Sequence, residues 1–192
     1  MKAVLLLVLL SLISCQEGMV GGWEKRSTAE NNIYIDRCFK EAFKSYANSE
    51  EANPDDYIPL TVHSQVVAGT NYKVTFVDPK VQVPTVQEYV VFVPLPHQMR
   101  NGVDLQVTRH KEYQTAETLK TNDETYIKLQ YHIAKELEGT KEKIKEITSV
   151  SNIETRQNNF YVIDAVTENG NHQYIVAQDR FTSELDYPQK IR

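Results

Sequence analysis

Two cysteines and five histidines are the residues of this chain that could serve as nucleophiles, bases or metal ligands. Thiolate chemistry requires an electropositive, partly exposed cysteine with a base within reach. Cys38 instead falls inside a helical pattern with no histidine or asparagine signature beside it, and reads as a buried structural thiol. His63, His97, His110, His132 and His172 lack the short spacings that bring imidazoles to one metal ion, and neither Gly-x-Ser-x-Gly nor a Walker loop occurs. Catalysis, a metal and a cofactor are therefore not expected. The feature that remains is one of recognition: Gln65-Val66-Val67-Ala68-Gly69-Thr70-Asn71-Tyr72 reads as strand, tight turn and strand. Gly69 can take positive φ without steric cost, so the turn can project as a narrow wedge. Val66 and Val67 near its tip serve either as ordinary strand residues over a core or as an apolar contact surface.

The elements that would hold this hairpin follow from periodicity. Ser27-Thr28-Ala29-Glu30 has capping-box spacing, and Ile35, Phe39, Ala42, Phe43 and Tyr46 then recur at steps of three and four, predicting a helix that ends before Asn53-Pro54. Strands are predicted over 58–67, 71–77, 87–93 and 105–113. The plan returns at Thr121-Asn122-Asp123-Glu124, where a shift of 94 residues carries Ile35 to Leu129, Phe39 to Ile133 and Phe43 to Leu137. Strands 144–153, 160–166 and 172–177 follow, with Glu168-Asn169-Gly170-Asn171 as a hairpin turn. A shift of 88 places Tyr72 on Phe160, and one of 85 places Tyr89 on Tyr174. The chain ends where a counterpart of the 105–113 strand would begin. Two helix-then-meander units joined around 115–120 are expected, each burying one helix against one antiparallel sheet in an α+β arrangement. The alternating charges from Lys135 to Glu146 suit a solvated helix end and loop.

Three segments in order carry a family resemblance. Gln65-Val66-Val67-Ala68-Gly69 resembles the signature hairpin of the cystatin superfamily, Val20-Gly21-Gly22 stands where that family has a flexible N-terminal glycine segment, and Val93-Pro94-Leu95-Pro96-His97-Gln98 is similar to the Leu-Pro turn of the stefin branch. The match covers about residues 19 to 113. It implies two tandem cystatin-like units of α+β class and a reversible, tight-binding inhibitor of papain-like cysteine proteases. Met19, Val20, Gly21 and Gly22, the hairpin Gln65, Val66, Val67, Ala68 and Gly69, and the loop Leu95, Pro96 and His97 would together occlude the protease cleft. The rival reading is a cystatin-fold binding or structural protein that does not inhibit.

Departures from the family are specific. The sole tryptophan is Trp23, so the Pro-Trp turn of secreted cystatins is missing, and His97 stands where stefins have Gly after Leu-Pro. In the second unit the shift of 88 puts Ile153, Glu154, Thr155, Arg156 and Gln157 on the wedge, and Arg180-Phe181 fall on Leu95-Pro96 under the shift of 85. A charged tip entering an apolar cleft loses solvation without gaining a partner, so this unit is expected to be degenerate and non-inhibitory.

At the start, Met1-Lys2 and the apolar run Ala3 to Ile13 have the form of a secretory signal peptide, too short for a comfortable membrane span. Leu12-Ile13-Ser14-Cys15 also resembles a lipoprotein box, which would put lipid on Cys15. Cleavage after Cys15 would leave Cys38 alone, so no intrachain disulfide could form. The expected organisation is 1–15 signal peptide, 16–115 inhibitory unit and 116–192 degenerate unit, in a secreted or secretory, lysosomal or vacuolar lumen. With a net charge of −5 and no basic stripe, nucleic acid is not an expected partner. After cleavage neither is a membrane. A monomer is expected, strand exchange through the apolar hairpin being the route to a swapped dimer.

Overall fold

The computed structural model describes residues 22–138, 140 and 142–192. The expected export segment, Cys15, Met19, Val20 and Gly21 lie outside the described residues. The architecture is α+β, with two five-stranded antiparallel sheets. The first orders β1 (Glu24–Arg26), β2 (Ile58–Val67), β3 (Gly69–Val77), β4 (Val86–Val93) and β5 (Gln106–Tyr113) consecutively, with α1 (Ile33–Ala47) between β1 and β2. The second repeats the plan as β6 (Glu117–Thr118), α3 (Glu124–Glu136), β7 (Ile144–Glu154), β8 (Asn158–Thr167), β9 (Gly170–Asp179) and β10 (Gln189–Lys190). A short helical turn, α2 (Pro96–Arg100), follows β4.

Each helix covers one face of its own sheet. Ile35, Cys38, Phe39, Ala42 and Phe43 form the buried stripe of α1 and pack on Val62, Tyr72, Val74, Phe76, Tyr89 and Val91. Phe76 anchors this core, with the Phe43 ring edge-on at 4.9 Å and Tyr89 stacked at 5.8 Å. In the second unit Tyr126, Leu129 and Ile133 of α3 meet Val150, Tyr161, Ile163, Tyr174 and Val176.

The helix starts differ from the capping boxes expected at Ser27 and Thr121. The N-cap of α1 is Asn32, whose Oδ1 accepts from Tyr34 N at 3.0 Å, and that of α3 is Asp123, accepting from Thr125 N at 2.8 Å. Ser27 Oγ instead accepts from Ala29 N, and Glu30 is drawn back to the Arg26 guanidinium at 2.8 Å, making a turn between β1 and the helix. Matched cap to cap, the helices stand 91 residues apart (Asn32 to Asp123), which sets Cys38 on Leu129 and Ala42 on Ile133. The expected shift of 94 is nearly one helical turn away, so it kept the apolar stripe on the correct side.

A one-residue slip had a larger consequence in the strands. Tyr72 corresponds to Tyr161, not Phe160: both tyrosines face their own helix, whereas Phe160 points to the opposite face. Because side chains alternate along a strand, a slip of one exchanges the two faces. The second unit also does possess a last strand, the two-residue β10, paired to β9 by Gln189 with Ile175 and Lys190 with Tyr174.

Those opposite faces meet. Leu60, Val77 and Val86 of the first sheet join Ile153, Phe160, Val162, Ile175, Ala177 and Ile191 of the second in a shared apolar cluster. The strands β3 and β8 are therefore buried on both sides, which is why Tyr72 to Val77 and Phe160 to Ala165 carry so few solvating residues. Toward the β2–β3 turn the seam becomes polar. Lys73 Nζ donates to Gln157 Oε1 at 2.8 Å, Asn158 Nδ2 donates to Thr61 Oγ1 at 3.4 Å, and the Thr61 and Thr75 hydroxyls lie 2.7 Å apart. At the rim Lys25 pairs with Asp186 at 2.7 Å, and Arg192 Nη2 donates to the Gln82 carbonyl at 2.7 Å.

Candidate functional site

Strand register decides which sequence segments share an end of the first sheet. Val67 faces Gly69 across the β2–β3 turn, leaving Ala68 at its apex, and Thr70 faces Val93 at the last position of β4. The turn and the Pro94-Leu95-Pro96-His97 segment therefore leave the sheet at the same end. Glu24 of β1 faces Ser64, so Gly22 and Trp23 lie at that end too. Of the expected contact residues that are described, all nine lie on this edge; Met19, Val20 and Gly21 lie outside the described residues.

The hairpin tip is built around one position. Gly69 has φ +141°, and a Cβ there would stand 2.6 Å from the Phe92 ring and 2.7 Å from the Val93 carbonyl oxygen. Both the backbone conformation and the space demand glycine. With Gly69 buried under Phe92, the neighbouring side chains are turned outward: Val66 is 67% exposed, and Val67, Ala68 and Leu95 are exposed as well. Single exposed aliphatics are commonplace, but here three large ones, Val66, Val67 and Leu95, share one sheet edge. Fully burying a valine against a partner contributes about 1.5–3 kcal/mol. Gln65 is half-buried behind the tip and accepts from Asn71 Nδ2 at 3.3 Å, stiffening the two strands just before they turn.

The neighbouring loop is held as well. Leu95 N donates to Gln98 Oε1 at 2.9 Å, starting the helical turn α2, with Pro96 and His97 exposed on its outer side. Met99 and Leu105 pack into the α1 core, and Arg37 on α1 pairs with Asp104 at 2.9 Å. Preorganised segments lose little conformational freedom on docking. No family model matches this chain, and no curated protein matches it.

The equivalent tip of the second unit has other work. Thr155 and Gln157 are buried, Thr155 Oγ1 and the Asn158 backbone close the β7–β8 turn, and Arg180 Nη1 donates to the Thr155 carbonyl at 2.9 Å. This turn sits on the outward face of the first sheet through Gln157 and Lys73. The loop after β9 is tied by Asp179 Oδ1, which accepts from Phe181 N at 2.7 Å and Thr182 N at 3.0 Å. Burial works against the Asp179 carboxylate, yet these two N–H groups hold its pKa below the usual range.

Two of the groups that could have served as nucleophile or base, Cys38 and His63, are buried. Burial pushes the Cys38 thiol up to about 12, so it carries no thiolate at neutral pH. His63, 3% exposed, is pushed down to about 4 by burial and then by Lys73, so it is neutral inside the seam. Among the described residues no group of three or more His, Cys, Asp or Glu is placed to hold a metal, and no helix is long and apolar enough to cross a membrane. Sequence patterning missed the seam residues Thr61, His63, Lys73 and Glu88. The available signal was Lys73 itself, a lone cation in the otherwise uncharged strand Gly69–Val77.

Proposed function

We propose that residues 16–115 form a cystatin-like unit that reversibly inhibits papain-like cysteine proteases, and that residues 116–192 form a second cystatin-like unit without inhibitory function. The observation that carries this reading is the edge itself: an outward-facing Val66-Val67-Ala68 turn beside Leu95-Pro96-His97 and Gly22, on strands whose opposite ends are buried in core. Inhibition then proceeds by occlusion. The hairpin and the α2 loop enter the apolar cleft on one side of the catalytic thiol, and the segment at Met19 to Gly22 fills the other side and bends away from it. No catalytic residue of the inhibitor takes part. An interface of standard size, about 1,600 Å² in total, supports tight binding when both surfaces are preformed. A luminal or extracellular destination, reached through the signal segment, would bring the chain to such proteases.

The second unit shares the strand–helix–meander plan but buries its tip at Gln157, which leaves it no free wedge. A cystatin-fold binding protein without inhibition is thus a reading that suits this unit alone. Titration of papain or a cathepsin L-like protease with the mature protein tests the proposal. Stoichiometric loss of protease activity is expected; full activity at micromolar protein would refute it.

A further inference from the structure

Where the β7–β8 turn meets the first sheet, a cleft of roughly 320 Å³ opens at the seam, lined by Trp23, Lys73, Arg109, Lys111, Arg156 and Arg180 together with Glu88 and Glu154. Five cations face two carboxylates there, in a chain whose net charge is −5. Among the described residues none of the five cations is ion-paired. Lys73 is 6% exposed, and its ammonium donates to Gln157 Oε1 at 2.8 Å and lies 4.3 Å from the Trp23 ring centroid. Burial holds its pKa below the usual lysine range; Glu88 opposes this, and Arg109 and Arg156 reinforce it. Four exposed cations converging around one buried cation attract a counter-anion more strongly than the same charges spread over a surface.

We propose that this cleft binds a sugar bearing sulfate or phosphate esters. Guanidinium forks on Arg109, Arg156 and Arg180 suit the paired oxygens of a tetrahedral oxyanion, and Lys73 and Lys111 act as point charges between them. Arg109 and Lys111 reach the cleft from β5, whereas Arg156 and Arg180 reach it from the second unit, so esters on different edges of one ring can be held at once. The cleft is roomier than a single sulfate needs, and such an ion would leave the rest of it to solvent. Trp23, with the Lys73 ammonium over its ring, forms part of the cleft wall. The site uses both units and does not depend on protease inhibition.

Trp23, the sole tryptophan, reports on the cleft directly. The full chain is titrated separately with glucose 6-sulfate, glucose 6-phosphate and inorganic sulfate, following tryptophan fluorescence. A saturable change is expected with at least one sugar ester, weakening as salt is added, and the tighter of the two esters identifies the source of the oxyanion. The combined variant R109Q/K111Q/R156Q, altered only at exposed side chains, should raise the dissociation constant at least tenfold. The variant K40Q/K120Q/K145Q, carrying the same charge change away from the cleft, should leave it within about twofold. No saturable change with either ester at millimolar concentration would overturn the proposal. So would equal affinity in R109Q/K111Q/R156Q, or inorganic sulfate binding as tightly as the sugar esters.

Discussion

The two hairpin tips stand at corresponding places in matching topologies and have opposite surroundings. In the first unit Val66, Val67 and Ala68 face solvent while Gly69 is locked beneath Phe92. In the second, Thr155 and Gln157 are buried, and the turn is fastened by Arg180 and by Lys73 of the other sheet. An apolar tip left in water has surface to give to a partner, whereas a polar tip already bonded to the neighbouring sheet has less. Gln157 and Asn158 of the second tip are thus contacts that join the two sheets beside the first tip.

The seam side of this comparison is broken most severely by Phe160→Ala. Phe160 is fully buried between the sheets, and its removal should destabilise the protein by about 3–5 kcal/mol. In urea unfolding, Trp23 fluorescence should shift to lower denaturant along with the helical signal. An unchanged Trp23 transition would mean that the two units unfold independently.

Next in size is the pH dependence of His63. Its folded pKa is depressed to about 4 by burial, with Lys73 and Lys25 acting in the same sense and Asp179 against them. As pH falls from about 6.5 to 4, the unfolded chain takes up a proton that the folded chain refuses. Stability is therefore fully present above about 6.5, declines by up to ~3 kcal/mol through that window, and loses nothing more from this group below it. His63→Gln should flatten the slope between pH 7 and pH 4.5 in urea titrations; an undiminished slope would assign it to other groups.

On the wedge side, Val66→Asp should weaken protease binding about a hundredfold, equivalent to ~3 kcal/mol, because a carboxylate would be desolvated in an apolar cleft. Its thermal midpoint should hardly move, since Val66 is 67% exposed. Smallest of all, Glu154→Gln and Arg156→Gln should each leave the inhibition constant within about twofold. A tenfold loss from either would bring the second tip into the protease contact.

The α+β class, both long helices and the long hairpins were legible because each has a helix-facing apolar pattern, as in Ile35, Cys38 and Ala42 or in Tyr72, Val74 and Phe76. Where patterning failed, a second physical constraint was present. Alternation could not distinguish Phe160 from Tyr161, since both sides of β8 are buried. The caps Asn32 and Asp123 were passed over because Ser27-x-x-Glu30 and Thr121-x-x-Glu124 have capping-box spacing, whereas in the fold Glu30 is taken by Arg26 and the Asn32 and Asp123 side chains make the caps. β1, β6 and β10 have only two or three residues, too few to alternate. The edge at Gln65 to Gly69 and Leu95 to His97 could be read from local motifs. The seam could not, for its polar residues look like surface until a second sheet is laid upon them.

The contrast between the tips is tested most directly by hydrogen exchange on the complex with papain. Amides over 64–70 and 93–100 should gain protection when protease is added. Those over 153–158 should be slow already in the free protein and unchanged in the complex. New protection at 153–158, or none at 64–70, would contradict the assignment of recognition to the first tip and of assembly to the second.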